Sequence, residues 1–214
     1  MTTLIVFARR PRAGAVKRRL ARAVGARRAA ALYATLLART LALAEASACV
    51  RRVLMPAAAR DLRWFRTRLA PRGWQVRAQC PGGLGRRMER ALGSALAGGH
   101  PAILIGSDTL DATAADVARA ARALDGVAEA VIGPAADGGY WLIGLARPVP
   151  GLFAELPWGS AEVGARTVHR LVAARVVCLR LPPRHDLDRG RDLLRAGRAL
   201  SRGAAGARPR IRHR

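Results

Sequence analysis

Ala102-Ile103-Leu104-Ile105 runs directly into Gly106-Ser107-Asp108, and its four apolar residues have no polar residues alternating between them. A strand with that pattern is buried on both faces, as in a parallel sheet flanked by helices. Ligands of open α/β sheets gather at the carboxyl ends of the strands, so the first polar residues past Ile105 should face a crevice. Asp108 then stands where a hard carboxylate oxygen could hold a divalent cation that also grips phosphate. A Gly-Ser-Asp-Thr turn accounts for the same residue as a plain turn former. As a ligand beyond the strand end, Asp108 should be removable without opening the core.

Working outward, residues 4–8 form a second apolar run, followed by a loop over 9–17 that Pro11 and Gly14 punctuate. A helical pattern starts at Arg18, breaks at Gly25 and resumes to about Ser47, with Leu32, Leu36, Leu37, Leu41 and Leu43 on its apolar face. A strand is expected over 50–55, then a helix over 57–69 that packs Trp64 and Phe65 on the sheet. Residues 74–78 read as a strand ending in the Gly-rich turn 81–85, before a helix carrying Arg86, Arg87, Met88 and Leu92. Thr113 and Asp116 form a capping box for a helix reaching Leu124. Strands over 130–134 and 140–145 are joined by residues 135–139, and a helix near 161–173 leads to a strand over 176–181. A last helix is expected from about Arg189 to Ser201. This alternation argues an α/β fold with a mainly parallel sheet, one domain over 1–203 and a disordered basic tail over 204–214.

The 214 residues carry a net charge of +24, which favours polyanionic partners such as nucleotides, nucleic acid or an acidic membrane surface. Arginine is nevertheless spread over every expected helix beside abundant alanine, as a coding bias that replaces lysine would leave it. Against that background Lys17, alone among the 38 basic residues in being lysine, asks for a physical reason. Cys49, Cys80 and Cys178 show neither paired spacing nor an even count, which fits a reducing cytoplasm rather than a disulfide framework or a zinc site. The apolar start at 4–8 is too short for a signal or a membrane segment, and no other stretch is expected to approach a span.

The first loop brings Gly14, Lys17, Arg18 and Arg19 to the end of the first strand, where backbone N–H groups and basic side chains favour an anion. It does not fit the Walker A spacing. Asp137-Gly138-Gly139-Tyr140 is compatible with a hairpin turn, and Asp188 with an N-cap of the final helix.

Taken in order, the motifs are Phe7-Ala8 through Pro11, Gly14, Lys17, Arg19 and Leu20; Leu84-Gly85 with Arg87-Met88; Gly106-x-Asp108 with Asp111 and Thr113. Then come Gly133-Pro134, Asp137-Gly138-Gly139-Tyr140, Leu142 to Leu145, Trp158 and Val163, and Asp186-x-Asp188 with Asp192 and Leu193. This order resembles the bacterial glycosyltransferase-like family known as radical-SAM/selenodomain-associated transferase, long carried as a domain of unknown function. That family is similar to 2-phospholactate guanylyltransferase and to other nucleotidyltransferases of the GT-A type. The resemblance implies a single-domain, GT-A-like (nucleotide-diphospho-sugar transferase) Rossmann-like sandwich, a Mg2+ or Mn2+ ion and a nucleoside triphosphate or nucleotide sugar as substrate. It implies Gly14, Lys17, Arg19, Gly85 and Asp108 at the nucleotide, Asp108 and Asp188 at the metal, and Asp137, Gly138, Gly139 and Tyr140 on the acceptor side. Lys17, Asp108 and Asp137 are the expected catalytic set, Asp137 as the candidate base.

The chain departs from the family at Arg18, usually Thr, at Gly83 and Arg86, usually acidic, and at Leu110, usually Pro. Glycosyl transfer is the expected reaction. Guanylyltransferase-like nucleotidyl transfer is its alternative, and a degenerate transferase fold serving as a basic nucleic-acid-associated protein is a third.

Overall fold

The computed structural model describes residues 1–47, 49 and 51–196. Among them, β1 (Thr3–Ala8), β2 (Arg51–Pro56), β3 (Gln75–Val76), β4 (Ala102–Ile105), β5 (Ala130–Pro134), β6 (Tyr140–Leu145) and β7 (Cys178–Arg180) form one sheet. Its order is β3-β2-β1-β4-β6-β5-β7. Only β6 runs against its neighbours; the other pairings are parallel. The helices are α1 (Arg18–Val24), α2 (Ala26–Ala46), α3 (Leu62–Leu69), α4 (Leu84–Leu96), α5 (Ala114–Leu124) and α6 (Val163–Ala173).

The apolar runs at 4–8 and 102–105 lie side by side at the centre, with Leu4 opposite Ile103 and Val6 opposite Ile105. Alternate side chains leave on opposite faces of a strand. Leu4, Val6, Ile103 and Ile105 therefore join Leu37, Leu41, Phe65 and Val117 of α2, α3 and α5 on one face. Ile5 and Leu104 join Met88, Leu92 and Leu171 of α4 and α6 on the other. Each such fully buried side chain contributes about 1.5–3 kcal/mol, so the two-sided burial of β1 and β4 anchors the whole sheet.

Several expectations are corrected. The helix expected over 57–69 is a short 3-10 turn at Ala59–Asp61 followed by α3. Phe65 is buried and Trp64, partly buried, packs against the same core cluster as expected; Trp64 also meets Phe65 edge-on at 4.8 Å and has the guanidinium groups of Arg10 and Arg68 over its ring. The third strand shrinks to Gln75–Val76. Helix α4 starts at Leu84, which takes Gly85 out of the turn and into the first helical turn. Helix α2 is long and apolar enough to cross a membrane, contrary to the expectation that no stretch approaches a span. Within this fold its Ala29, Tyr33, Leu36, Leu37, Leu41 and Ala44 are buried against the protein. The tail at 204–214, and the last helix beyond residue 196, lie outside the described residues.

Past β7 the chain becomes a strap along the carboxyl edge of the sheet. Arg184 N–H donates to the Pro134 carbonyl at 2.9 Å, Leu110 N–H donates to His185 O at 2.7 Å, and Leu187 N–H donates to Asp108 O at 3.1 Å. The strap thus fills the gap between the β5–β6 turn and the loop after β4. Leu187 sinks beneath it into a cluster with Leu20, Leu36 and Leu110, so Leu110 serves as core.

Asp116 ties this strap to α5. Its carboxylate accepts from Thr113 N at 2.9 Å and Thr113 Oγ1 at 2.8 Å, completing the expected capping box, and from Arg184 Nη2 at 2.7 and 2.8 Å. Burial pushes its pKa up, but the hydrogen bonds from Arg184 and Thr113 outweigh that and leave it below the ordinary value. A carboxyl depressed in the folded state adds stability above its unfolded pKa and loses it as pH falls through the folded one. Asp116→Asn should cost about 1–3 kcal/mol at pH 7, with the gap to the parent in urea unfolding closing below about pH 4. A gap that stays constant with pH would place the loss in packing, not in the charge.

Candidate active site

The strand ends that meet at the carboxyl edge carry most of the expected site. The loop after β1 is fixed at three points. Arg9 N–H donates to Tyr33 Oη at 2.9 Å, Arg12 Nη2 bonds Asp61 Oδ1 at 2.9 Å, and Arg10 stacks on Trp64. Tyr33 Oη also shares a 2.7 Å hydrogen bond with Ser107 Oγ, so α2 links the end of β1 to the residue preceding Asp108.

Lys17 follows at the N-cap of α1 with φ 48° and ψ 48°, a left-handed conformation that favours glycine or asparagine. Its Nζ donates to Asp108 Oδ2 at 2.7 Å and lies 4.0 Å from Asp188 Oδ1, while Arg19 Nη1 reaches Asp188 Oδ2 at 3.2 Å. The Lys17 side chain is 7% exposed, against 39% for Asp108 and 44% for Asp188. The ammonium therefore sits behind two carboxylates that remain open to the cleft.

Asp186 joins this group from the strap and accepts from Thr109 Oγ1 at 2.9 Å. Burial, then the nearby Asp108 and Asp137 carboxylates, push its pKa up to about 7 against the opposing pull of Thr109 and Lys17. In the sequence Asp186 belongs to the Asp186-x-Asp188 motif without a role of its own. The signal was the Asp-Leu-Asp alternation, which puts 186 and 188 on one side of an extended segment and Leu187 in the core.

Two clefts meet here. One, of about 610 Å³, is lined by Lys17, Arg19, Asp108, Gly139, Tyr140 and Trp158 among others. The second, of about 820 Å³, lies beyond Arg19, Asp137, Gly159 and Asp188, which belong to both walls. Tyr140 packs edge-on to Trp158 at 6.5 Å with its hydroxyl 3.9 Å from Met88 Sδ, and burial raises its pKa.

The glycines divide differently. Gly14 lies in the turn where Ala15 N–H donates to Arg12 O, and Ala15 and Val16, rather than Gly14, line the cleft. Gly85 is buried, and a Cβ there would lie 2.5 Å from Phe153 O and 3.0 Å from the Trp158 ring. Gly138, at φ 92°, has the Ala161 backbone so close that a Cβ would fall 2.2 Å from Ala161 O. What approaches Gly138 is thus the chain itself, where a ligand was expected. Gly139 N–H donates to Asp137 Oδ1 at 3.0 Å and closes the turn between β5 and β6.

No group of three His, Cys, Asp or Glu side chains forms a metal centre among the described residues. Asp108 and Asp188 nevertheless fit a hard divalent cation that completes its shell with water and phosphate oxygens. Both lie within 4.0 Å of the Lys17 ammonium and both keep open faces.

The sheet order, the antiparallel β6 and the charged cleft at the carboxyl edge define a nucleotide-diphospho-sugar transferase fold, shared with nucleotidyltransferases. Residues 40–160 match the model of the family described as "Uncharacterized protein conserved in bacteria (DUF2064)", and the chain belongs to that family. It is similar to a crystal structure from Desulfovibrio desulfuricans G20 that carries a provisional assignment as a nucleotide-diphospho-sugar transferase. The identity is 30%, 95% of each chain is covered, and the TM-score is 0.83. The inositol-1-phosphate CTP transferase of T. maritima shares the fold at 11% identity, covering 97% of this chain and 98% of its own, with a TM-score of 0.62. So does the glucosyl-3-phosphoglycerate synthase of Mycobacterium tuberculosis, solved with Mn2+, UDP and glucosyl-3-phosphoglycerate: 12% identity, 98% and 81% coverage, TM-score 0.55. No curated protein matches the chain.

The burial of Lys17 revises one expectation. Asp108→Asn leaves an ammonium that is 7% exposed with Asp188 at 4.0 Å as its remaining carboxylate, so neutralising Asp108 is not free of cost to the fold. A loss of about 1–3 kcal/mol is expected in chemical denaturation at pH 7. An unchanged midpoint would show that Lys17 swings into solvent without penalty.

Proposed function

We propose that the chain is a metal-dependent transferase that moves a glycosyl group from a nucleotide sugar to an acceptor. The observation that carries this reading is the Lys17 ammonium, buried behind Asp108 and Asp188 at the carboxyl edge of the sheet. A lysine held in the left-handed region costs backbone strain that glycine would avoid, so a role for its side chain gives a reason to keep it there. The 30% identical Desulfovibrio protein, with its provisional assignment, supports the same class.

In this reading Lys17 and Arg19 neutralise the donor diphosphate, and Asp108 and Asp188 hold Mg2+ or Mn2+. The bound cation supplies further charge neutralisation on the leaving diphosphate. The loop of Gly14 sets the path into Lys17, and Gly85 lets Trp158 settle against α4 beside the donor. Asp137 stands between donor and acceptor in the wall shared by both clefts, Gly139 and Tyr140 line the donor cleft instead of the expected acceptor side, and Gly138 holds their turn in place. The chain's own contribution is position and fixed charge: groups already ordered by Tyr33, Asp61 and the strap need no reorganisation when charge develops. The three free cysteines suit a reducing cytoplasm.

Nucleotidyl transfer, as in the guanylyltransferases that the motifs resemble, is the second reading. It is favoured by Arg9, Arg18 and Arg87, which line the donor cleft in addition to Lys17 and Arg19 and provide more positive charge than a diphosphate requires. Release of pyrophosphate from a nucleoside triphosphate, against release of a nucleoside diphosphate from a nucleotide sugar, separates the two.

A thermal-shift panel of nucleotides and nucleotide sugars with Mg2+ or Mn2+ is the first test: stabilisation should require the metal and should vanish in Lys17→Met. On the substrate so found, Lys17→Met should cost about 2–4 kcal/mol of transition-state stabilisation, with Lys17→Arg between it and the parent. Equal turnover by all three forms would remove the first loop from the active site.

A further inference from the structure

The second cleft contains an arrangement that the donor chemistry does not use. His185 of the strap meets Asp111, from the loop after β4, twice: its backbone N–H donates to Asp111 Oδ1 at 2.8 Å, and its ring Nδ1 lies 2.9 Å from Asp111 Oδ2. The backbone bond alone would pin the strap to the loop. The ring bond does something further, because it fixes the tautomer. A carboxylate oxygen can only accept, so in the neutral imidazole Nδ1 carries the hydrogen and Nε2 is left with a lone pair. Among the described residues Nε2 has no hydrogen-bond partner. The imidazole is about one-third exposed and lines the 820 Å³ cleft together with Asp137, Asp188 and Arg19. Those last three residues also border the donor cleft, so a molecule resting on His185 sits across a shared wall from the donor.

Resting on the transferase reading above, we infer that the second cleft takes an acceptor bearing a free hydroxyl and that His185 is the base that receives its proton, with Asp111 as the positioning residue. The acceptor O–H gives its proton to Nε2 while its oxygen bonds to the anomeric carbon of the donor. The bond from that carbon to the diphosphate oxygen breaks, and its electron pair leaves with the diphosphate. The imidazolium formed is held beside the Asp111 carboxylate until it returns the proton to solvent. An orienting carboxylate behind a histidine is an arrangement that serves general bases on unrelated folds. Asp137, the candidate of the sequence reading, uses Oδ1 to close its own turn through Gly139 N–H, whereas Nε2 of His185 is uncommitted. An acceptor that attacks through an already ionised phosphate oxygen would need no such group, so the dyad selects for alcohols.

The test combines a spectrum with turnover. Imidazole 15N–1H correlation spectra of the full chain, assigned by His185→Gln, should show His185 as the Nδ1–H tautomer, and Asp111→Asn should erode that preference. UDP-glucose, GDP-mannose, CTP and GTP are each offered with Mn2+, first for thermal shift and then for release of nucleoside diphosphate or pyrophosphate with water or glycerol as acceptor. His185→Gln should keep the parent's thermal shift and lose 10²- to 10⁴-fold in turnover, with Asp111→Asn in between. Absence of a shift with all four compounds in the parent overturns the donor reading and the base with it. A shift accompanied by an Nε2–H tautomer, by undiminished turnover in His185→Gln, or by no turnover to either acceptor in the parent overturns the base alone. Loss of the thermal shift in His185→Gln would mark the residue as structural and overturn it equally.

Discussion

A cation buried at a strand edge has to be met by counter-charge, and the site is built around that constraint. Leaving the Lys17 ammonium unpaired in so enclosed a position would cost several kcal/mol, and two separate pieces of chain answer it. The loop after β4 brings Asp108, the strap brings Asp188, and Arg19 in turn balances Asp188 from the first turn of α1. The sheet makes this possible through the side-by-side pairing of β1 and β4, which sets the loop ends that carry Lys17 and Asp108 next to each other. Neither carboxylate is consumed by the pairing, since both keep open faces. Buried positive charge behind partly open negative charge is the arrangement on which the proposed pairing of a divalent cation with a polyphosphate rests.

The strap and the reversed strand complete the arrangement from the other side. Because β6 runs against its neighbours, its start lies at the active edge, so the short β5–β6 turn delivers Asp137, Gly139 and Tyr140 there without a long excursion. The strap uses backbone hydrogen bonds to the loops on both sides, and with them it sets Asp186 and Asp188 toward one cluster and His185 toward Asp111.

Much of this was legible in the sequence where a local rule applies. Uninterrupted apolar runs marked β1 and β4, the Thr113–Asp116 pair marked the start of α5, and Asp137-Gly138 between two apolar runs marked the hairpin. Lys17 stood out by composition, and the structure sets it beside Asp108. What was not legible depends on partners far along the chain. The need for glycine at 85 comes from Phe153 and Trp158, and at 138 from Ala161. Trp64 packs against the core as its helical face indicates, but the guanidinium groups of Arg10 and Arg68 over its ring come from pairings that the spacing does not show. The strap pairs with irregular loops, so the His185–Asp111 contact could not be derived from spacing, and the Asp-Leu-Asp alternation set Asp186 on the side of Asp188 without naming its partners. Length misled at β3, where only Gln75 and Val76 pair with β2.

The order in which the chain is synthesised adds a consequence of the Arg19–Asp188 link, whose partners stand 169 residues apart. Lys17 and Arg19 emerge early, with the first strand, whereas Asp188 arrives in the last described segment. Until that segment docks, the early part of the chain holds cations that lack part of their counter-charge, and the strap has no partner loops to pair with. Contacts of such long separation form late and slowly. The cluster therefore rests on a contact of long sequence separation, and the site is competent only when the strap is docked. Loosening of the strap alone would open both clefts at once while the two-sided core of β1 and β4 stayed intact, a form of local opening that leaves the sheet folded and the chemistry disabled.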